Sequence, residues 1–260
     1  MLGAIAGDVI GSVYEGAHFK TTDFPLFRKT STFTDDTVLT IAIAEAIMTD
    51  DYYGRKLKKY SRKYPNRGYG GMFSKWAMNK HSKPYNSWGN GSAMRVSPVG
   101  FAFNSIEKVL KEAKRSAEVT HNHPEGIKGA QATAATIFLA KNNKTKDEIV
   151  DFIEGKFNYD LSENIDSVRK WYRFDVSCQG TVPYAITAFL ESKNFEDAIR
   201  KAISLGGDSD TLTCITGSIA QAYYKNIPDR IKKEVIKRLP EEFKTIISNF
   251  YEMYNMPDNL

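Results

Sequence analysis

A chain of 260 residues, 42% hydrophobic and 26% charged with a net charge of +5, has the composition of a soluble globular protein and enough length to bury a sizeable core. No apolar run approaches the roughly 20 residues of a membrane span, and the apolar start "MLGAIAGDVIGS" has no Lys or Arg before it and is broken by Asp8, so it reads as a poor signal peptide. Cys178 and Cys214 make no disulfide framework and read as two reduced core thiols of a cytoplasmic protein.

Helical spacing recurs along the chain, strand-like alternation is scarce, and no linker or internal repeat divides it. Residues 1–260 are therefore expected to form a single all-α domain. The first helix, 3–15, repeats Ile5, Val9 and Val13, sets Gly3, Gly7 and Gly11 on a smooth face for close packing, and puts Asp8, Ser12 and Glu15 on another face. Those acids are either salt-bridged core residues or the wall of a site, with Glu15 at the helix end pointing into it. Residues 36–48 are apolar nearly all round, as in a buried helix. The basic run "RKLKKYSRKYPNR" (55–67) reads as a solvated helix face or as an electrostatic footprint for a polyanion. An amphipathic helix follows over 105–118 with Ser105 as its cap, and another periodic stretch covers 126–140. Helices are expected over 183–192 with Pro183 as first residue, over 194–205 from an Asn194 cap, and over 211–224. The second basic run, 225–244, carries the same two readings. Long loops at 16–35, 64–73 and 80–100 carry Gly, Trp, Tyr and Asn rather than a disorder composition, which points to function.

Two helix starts carry more oxygen than capping requires. "TDDT" (34–37) and "GGDSDT" (206–211) each place two acids and a Thr before an apolar helix, where one cap would suffice. Capping accounts for one acid per helix. The others would repel one another at a part-buried position unless a cation compensates. Brought together, the two clusters offer four carboxylates and several hydroxyls with no His or Cys, a set suited to hard divalent ions such as Mg²⁺, Mn²⁺ or Ca²⁺, and large enough for two. Redundant capping in surface turns is the competing reading. "NRGYGGMF" (66–73) and "NSWGNGSAMRVSP" (86–98) have free backbone N–H groups that could wrap a phosphate, or are turns. His121 and His123 of "VTHNHPEG" lack a third soft ligand for zinc, and suit hydrogen bonding or stacking with a ligand, or a capping loop.

In order, "GAIAGDVIGSVYEG", "FTDDT", "RGYGG", "GNGSAMR", "THNHPEGIKGA" and "SLGGDSDT" resemble the ADP-ribosylglycohydrolase family over about Leu2–Pro228. The resemblance implies a compact, orthogonal multi-helix bundle with long functional loops around a cleft, and two cations, Mg²⁺ or Mn²⁺, at its bottom. It implies that Thr34, Asp35 and Asp36, with Asp208, Asp210 and Thr211, ligate the metals. Glu15 matches an acid that takes part in catalysis. Gly70 and Gly71 match a loop near the diphosphate, Ser87, Trp88, Gly89 and Asn90 one that wraps diphosphate and distal ribose, and His121 a residue that holds the adenosine part. The implied reaction cleaves the bond at C1″ of the terminal ribose through an oxocarbenium-like transition state, with Asp36 or Glu15 as base. The implied substrate is an ADP-ribosylated protein or another ADP-ribose conjugate, acted on by a monomer. The basic run 55–67 keeps a nucleic-acid conjugate open. A nucleotide-binding protein without turnover and an all-α phosphohydrolase are the rival readings, and retention of all six ligand positions favours the hydrolase.

Overall fold

Residues 1–16 and 18–256 are described by the structure, a computed structural model; Ala17, within the expected 16–35 loop, and residues 257–260 lie outside them. Among the described residues the chain forms fifteen helices and no strand, in agreement with the all-α expectation. They are α1 (Leu2–Gly11), α2 (Asp35–Met48), α3 (Tyr53–Lys63), α4 (Gly71–Met78), α5 (Gly91–Met94), α6 (Ser97–Ala102), α7 (Ile106–Glu118) and α8 (Pro124–Lys141). The second half adds α9 (Lys146–Phe157), α10 (Ile165–Trp171), α11 (Cys178–Leu190), α12 (Phe195–Ile203), α13 (Ser209–Tyr224), α14 (Asp229–Ile236) and α15 (Glu241–Met253).

The assembly is organised by α1 lying along α13, the most extensive helix pair in the molecule. Glycine makes that approach possible. A Cβ on Gly7 would fall 1.9 Å from the Thr213 carbonyl oxygen, one on Gly3 2.3 Å from the Gly217 oxygen, and one on Gly11 2.6 Å from the Asp210 Cα. The smooth face expected of Gly3, Gly7 and Gly11 is thus a backbone-to-backbone contact. It is reinforced by Thr213 Oγ1, which donates to the Gly7 carbonyl at 2.7 Å. Both helices are buried along their length apart from the last turn of α13, so their polar ends meet inside the protein rather than at its surface. Around this pair, α2, α8, α11 and α12 close a contiguous apolar core.

Several expected boundaries move. The first helix stops at Gly11, so Glu15 sits on a following turn and not on the helix face shared with Asp8. Pro183 is not a first helical residue: α11 begins five residues earlier behind Ser177, whose hydroxyl accepts from Gly180 N–H, and Pro183 is carried inside it. A side-chain cap and burial of the surrounding turn outweigh the backbone hydrogen bond that proline forfeits. The 80–100 loop holds the short helices α5 and α6, and α4 begins at the end of the 64–73 loop. Pattern reading missed α9 although its capping box, Thr145 with Glu148, is explicit in the sequence.

The glycine contact yields a prediction. Gly7→Ala should destabilise by about 1–3 kcal/mol through overpacking, lowering Tm by roughly 2–4 °C per kcal/mol. Gly155→Ala on α9, where a Cβ meets nothing within 4 Å, should leave Tm equal or higher in the same melting experiment.

Candidate metal centre and ligand cleft

The site is built outward from Asp8, a wholly buried carboxylate on α1. It accepts from Thr34 N–H at 3.0 Å, Thr34 Oγ1 at 2.7 Å, Thr37 N–H at 3.1 Å and Thr37 Oγ1. Four donors from the start of α2 hold one charge, which corrects the salt-bridge reading of this residue. Burial raises the Asp8 pKa and these hydrogen bonds pull it back. Asp8 thereby fixes the loop that carries Thr34, Asp35 and Asp36, a role sequence reading did not assign.

Neither acid at the start of α2 is spent on its cap. Thr34 is the N-cap of α2, its Oγ1 accepting from Asp36 N–H at 3.3 Å while donating to Asp8. Asp208 is the N-cap position of α13 but makes no side-chain cap bond. The expectation that one acid per helix serves the helix start therefore fails at α2, where a threonine hydroxyl does the work, while at α13 Asp210 Oδ1 accepts the first-turn N–H of Thr211 at 2.9 Å.

The two starts converge. Carboxylate oxygens of Glu15, Asp208 and Asp210 lie within 4.8 Å of one another. Asp36 joins them through Thr211, whose Oγ1 is 3.4 Å from Asp36 Oδ2, while Asp36 Oδ1 is buried without any partner. Asp35 reaches the same cleft, with its N–H donating to the Arg67 carbonyl at 2.7 Å. Burial, and then mutual repulsion, drives the Asp35, Asp36 and Asp210 pKa values well above the ordinary range. Burial also raises Asp208, opposed by hydrogen bonds from Asp210, Asn90 and Thr211. Glu15 is exposed on its open side yet raised by desolvation at the cleft wall, then by Asp208 and Asp8. Among the described residues no Lys, Arg or His pairs with any of these acids. An all-oxygen cluster with an orphaned buried oxygen and no counter-cation fits hard divalent ions.

One cleft of about 660 Å³ joins this cluster to the glycine loops. The residues matched through the family resemblance all line it: Glu15, Thr34, Asp35, Asp36, Asp208, Asp210 and Thr211, the glycines Gly70 and Gly71, and Ser87, Trp88, Gly89, Asn90 and His121, whereas His123 does not. Asn90 has a second duty that sequence reading missed. Both its amide protons are spent, on Asp208 Oδ2 at 2.7 Å and Thr181 Oγ1 at 3.0 Å, so it orients a carboxylate and offers a ligand only its carbonyl. His121 is set by Arg95, which is fully buried. Arg95 donates to Thr120 Oγ1 at 2.8 Å, and Thr120 Oγ1 lies 2.7 Å from His121 Nδ1. The Thr120 hydroxyl thus holds the ring at Nδ1 and leaves Nε2 facing Gly89 and Gly91. Burial and the Arg95 charge hold the His121 pKa well down, so the ring is neutral. Phe174 and Val176, exposed at the rim, and Tyr85 were not anticipated; the run of aromatics at 171–174 was the available signal for the former.

The family profile described as ADP-ribosylglycohydrolase matches residues 1–259. The chain is 26% identical to human ADP-ribosylhydrolase ARH3, over 86% of this chain and 84% of that protein. It is 27% identical to the putative ADP-ribosyl glycohydrolase L543 of Acanthamoeba polyphaga mimivirus, over 88% and 87% of the two chains. A solved structure titled ADP-ribosylglycohydrolase-related protein complex superposes with a TM-score of 0.74 at 24% identity, covering 97% of this chain and 95% of the other, a likeness of fold.

Two predictions follow from the charge cluster. Folded-state pKa values above the unfolded ones mean that ionisation opposes folding: this stability is complete below about pH 4 and is lost as pH rises through the raised values. A divalent cation binds the ionised form, so the Tm gain on adding Mg²⁺ or Mn²⁺ should be small at pH 5 and grow towards pH 8; a pH-independent gain would contradict the assignment. Asp8→Asn should weaken metal affinity by about 10–100-fold, as loss of a ligand-orienting partner does, measured by calorimetric titration. A match spanning residues 1–259, on a fold whose carboxylate cluster opens into a cleft of nucleotide size, makes this chain a member of the ADP-ribosylglycohydrolase family and an enzyme of that class.

Proposed function

We propose that the protein is a metal-dependent ADP-ribosyl hydrolase that cleaves the C1″ glycosidic bond of an ADP-ribosylated side chain or other ADP-ribose conjugate and releases ADP-ribose. The observation that carries the reading is the buried Asp36–Asp208–Asp210 cluster, with its unpartnered Asp36 oxygen, at one end of a cleft large enough for a nucleoside diphosphate sugar. Thr34, Asp35, Asp36, Asp208, Asp210 and Thr211 are assigned as ligands of two divalent cations, Mg²⁺ or Mn²⁺. When bound, such ions supply positive charge that grips ribose hydroxyls and lowers the pKa of a water.

The chain's own residues do the rest. Asn90 keeps Asp208 turned towards the cluster. Glu15, on a turn beyond α1 with one face open, is free to approach the anomeric carbon, and its raised pKa suits it to accept a proton from the attacking water. Asp36, wholly buried and anchored through Thr34 and Thr211, is better placed to hold charge than to move. Backbone N–H groups of Gly70, Gly71 and the 87–90 loop are assigned to the diphosphate. Neutral His121 presents Nε2 beside Gly89 and Gly91, where it can hydrogen-bond the nucleoside end. Trp88, 53% exposed and edge-on to His123, offers a face for the base.

The assay is release of ADP-ribose from conjugates on arginine, serine and nucleic acid in the presence of Mg²⁺ or Mn²⁺. Wild-type protein should release ADP-ribose from at least one. Asp36→Asn and Asp208→Asn should each lower turnover by at least about 10²-fold, the scale of losing an electrostatic partner of the transition state, and should weaken metal binding. A metal-replete Asp208→Asn protein with near-normal rates would sink the assignment.

A further inference from the structure

We propose that a basic and aromatic surface beside the carboxylate end of the cleft docks single-stranded nucleic acid, so that the conjugate hydrolysed is ADP-ribose on a nucleic-acid strand; the substrate half of this rests on the hydrolase reading above. The surface is made by His18, Lys20 and the segment Arg169-Lys170-Trp171-Tyr172-Arg173-Phe174, which places three cations and three aromatics in six residues. His18, Lys20, Arg169, Lys170 and Arg173 line one hollow of about 520 Å³ with Asp166 as its single acid.

The cations here are uncompensated. Arg169 pairs with Asp166, but among the described residues Lys20, Lys170 and Arg173 have no carboxylate within 4 Å. Lys20 Nζ is fixed by the Tyr172 carbonyl at 2.9 Å and the Leu205 carbonyl, and Arg173 NH1 by the carbonyls of Lys170, Trp171 and Tyr172. Carbonyls orient these groups without cancelling their charge. The neighbouring positive charges of Arg173 and Arg169 add to desolvation in depressing Lys20, as expected where several cations wait for an anion. The 55–67 run, the footprint expected from sequence, differs in this respect. Arg55 is paired with Asp51, Lys56 and Lys59 with Glu45, and Lys63 with Glu242. Four of its cations are thus held by carboxylates of the fold.

Position and shape complete the case. The turn after Glu15 is tied to the metal loop by Gly16 N–H donating to the Gly207 carbonyl at 2.8 Å, and Lys20 lies four residues beyond that turn. Phe174 and Val176 line the cleft itself, so Arg173 adjoins its rim. With the nucleoside end of the ligand at His121, whatever hangs beyond the scissile bond leaves on the Glu15 side, towards this surface. Trp171 and Phe174 are 46% and 53% exposed between the cations. Cations alternating along the segment with the exposed rings of Trp171 and Phe174 suit a single strand, whose bases stack on any aromatic; an acidic peptide would use the charges and leave the rings idle.

The test measures binding of a fluorescently labelled single-stranded oligonucleotide to metal-free protein, wild type against Lys170→Gln/Arg173→Gln, between about 50 and 200 mM salt. The variant should bind about tenfold more weakly, with a slope of log affinity on log salt smaller by about 1.4, two phosphates at about 0.7 each. Lys170→Arg/Arg173→Lys should restore binding. On an ADP-ribosylated oligonucleotide the neutral variant should show a raised KM and an unchanged kcat, while release from ADP-ribosyl-arginine stays as in wild type. Equal binding by wild type and variant, or binding indifferent to salt, overturns the proposal. A defect confined to an ADP-ribosylated Asp/Glu-rich peptide overturns it in favour of an acidic protein. Weakened oligonucleotide binding with no conjugate hydrolysed by either protein upholds the docking surface and removes the hydrolase reading instead.

Discussion

Four hydrogen bonds from Thr34 and Thr37 to the buried carboxylate of Asp8 are the constraint on which the site depends. They tie the start of α2 to α1, and α1 is itself pressed against α13 through glycine-to-backbone contacts that tolerate no side chain. Two helix starts far apart in sequence are thereby delivered to one place. A charged group buried at the centre of the fold is costly unless every lone pair is answered. Asp8 is answered by N–H and O–H donors, whereas the neighbouring acids have no counter-cation among the described residues.

Those neighbours are a deliberate electrostatic conflict. Asp35, Asp36, Asp208 and Asp210 repel one another in a desolvated pocket, and their pKa values climb accordingly. A divalent cation of the kind proposed above would find these carboxylates already oriented by Asn90, Thr34 and Thr211. Elsewhere in the cleft, the Arg95–Thr120–His121 series applies the same logic, because a buried cation and a hydroxyl fix the ring at Nδ1 and hold it neutral.

Charge that looks alike in sequence behaves differently once folded. The 55–67 run is dense in Lys and Arg, yet α3 lies against acids of other elements and is mostly paired. The 169–174 segment is shorter and drew no attention from pattern reading, yet its cations face one hollow with a single acid. Counting basic residues locates positive sequence; pairing determines positive surface.

Local pattern was enough for the all-α class, for the start of α2 and of α7, for the Asn194 cap, and for the suspicion that "TDDT" and "GGDSDT" belong together, since helical period, capping chemistry and excess carboxylate are all written within a few residues. It was also enough to show that the first helix has a glycine face, though not what lies against it. Helix ends at Gly11 and Cys178, the assignment of capping to Thr34 rather than to an acid, the hydrogen-bonded state of Asp8, and the second duty of Asn90 were settled only by tertiary structure. Each depends on a partner from another segment: Asp8 on Thr34 and Thr37, Asn90 on Asp208 and Thr181. A sequence shows which groups need an answer, and only the packed chain shows which group gives it, because the energy of a buried polar atom is decided by the neighbour that reaches it.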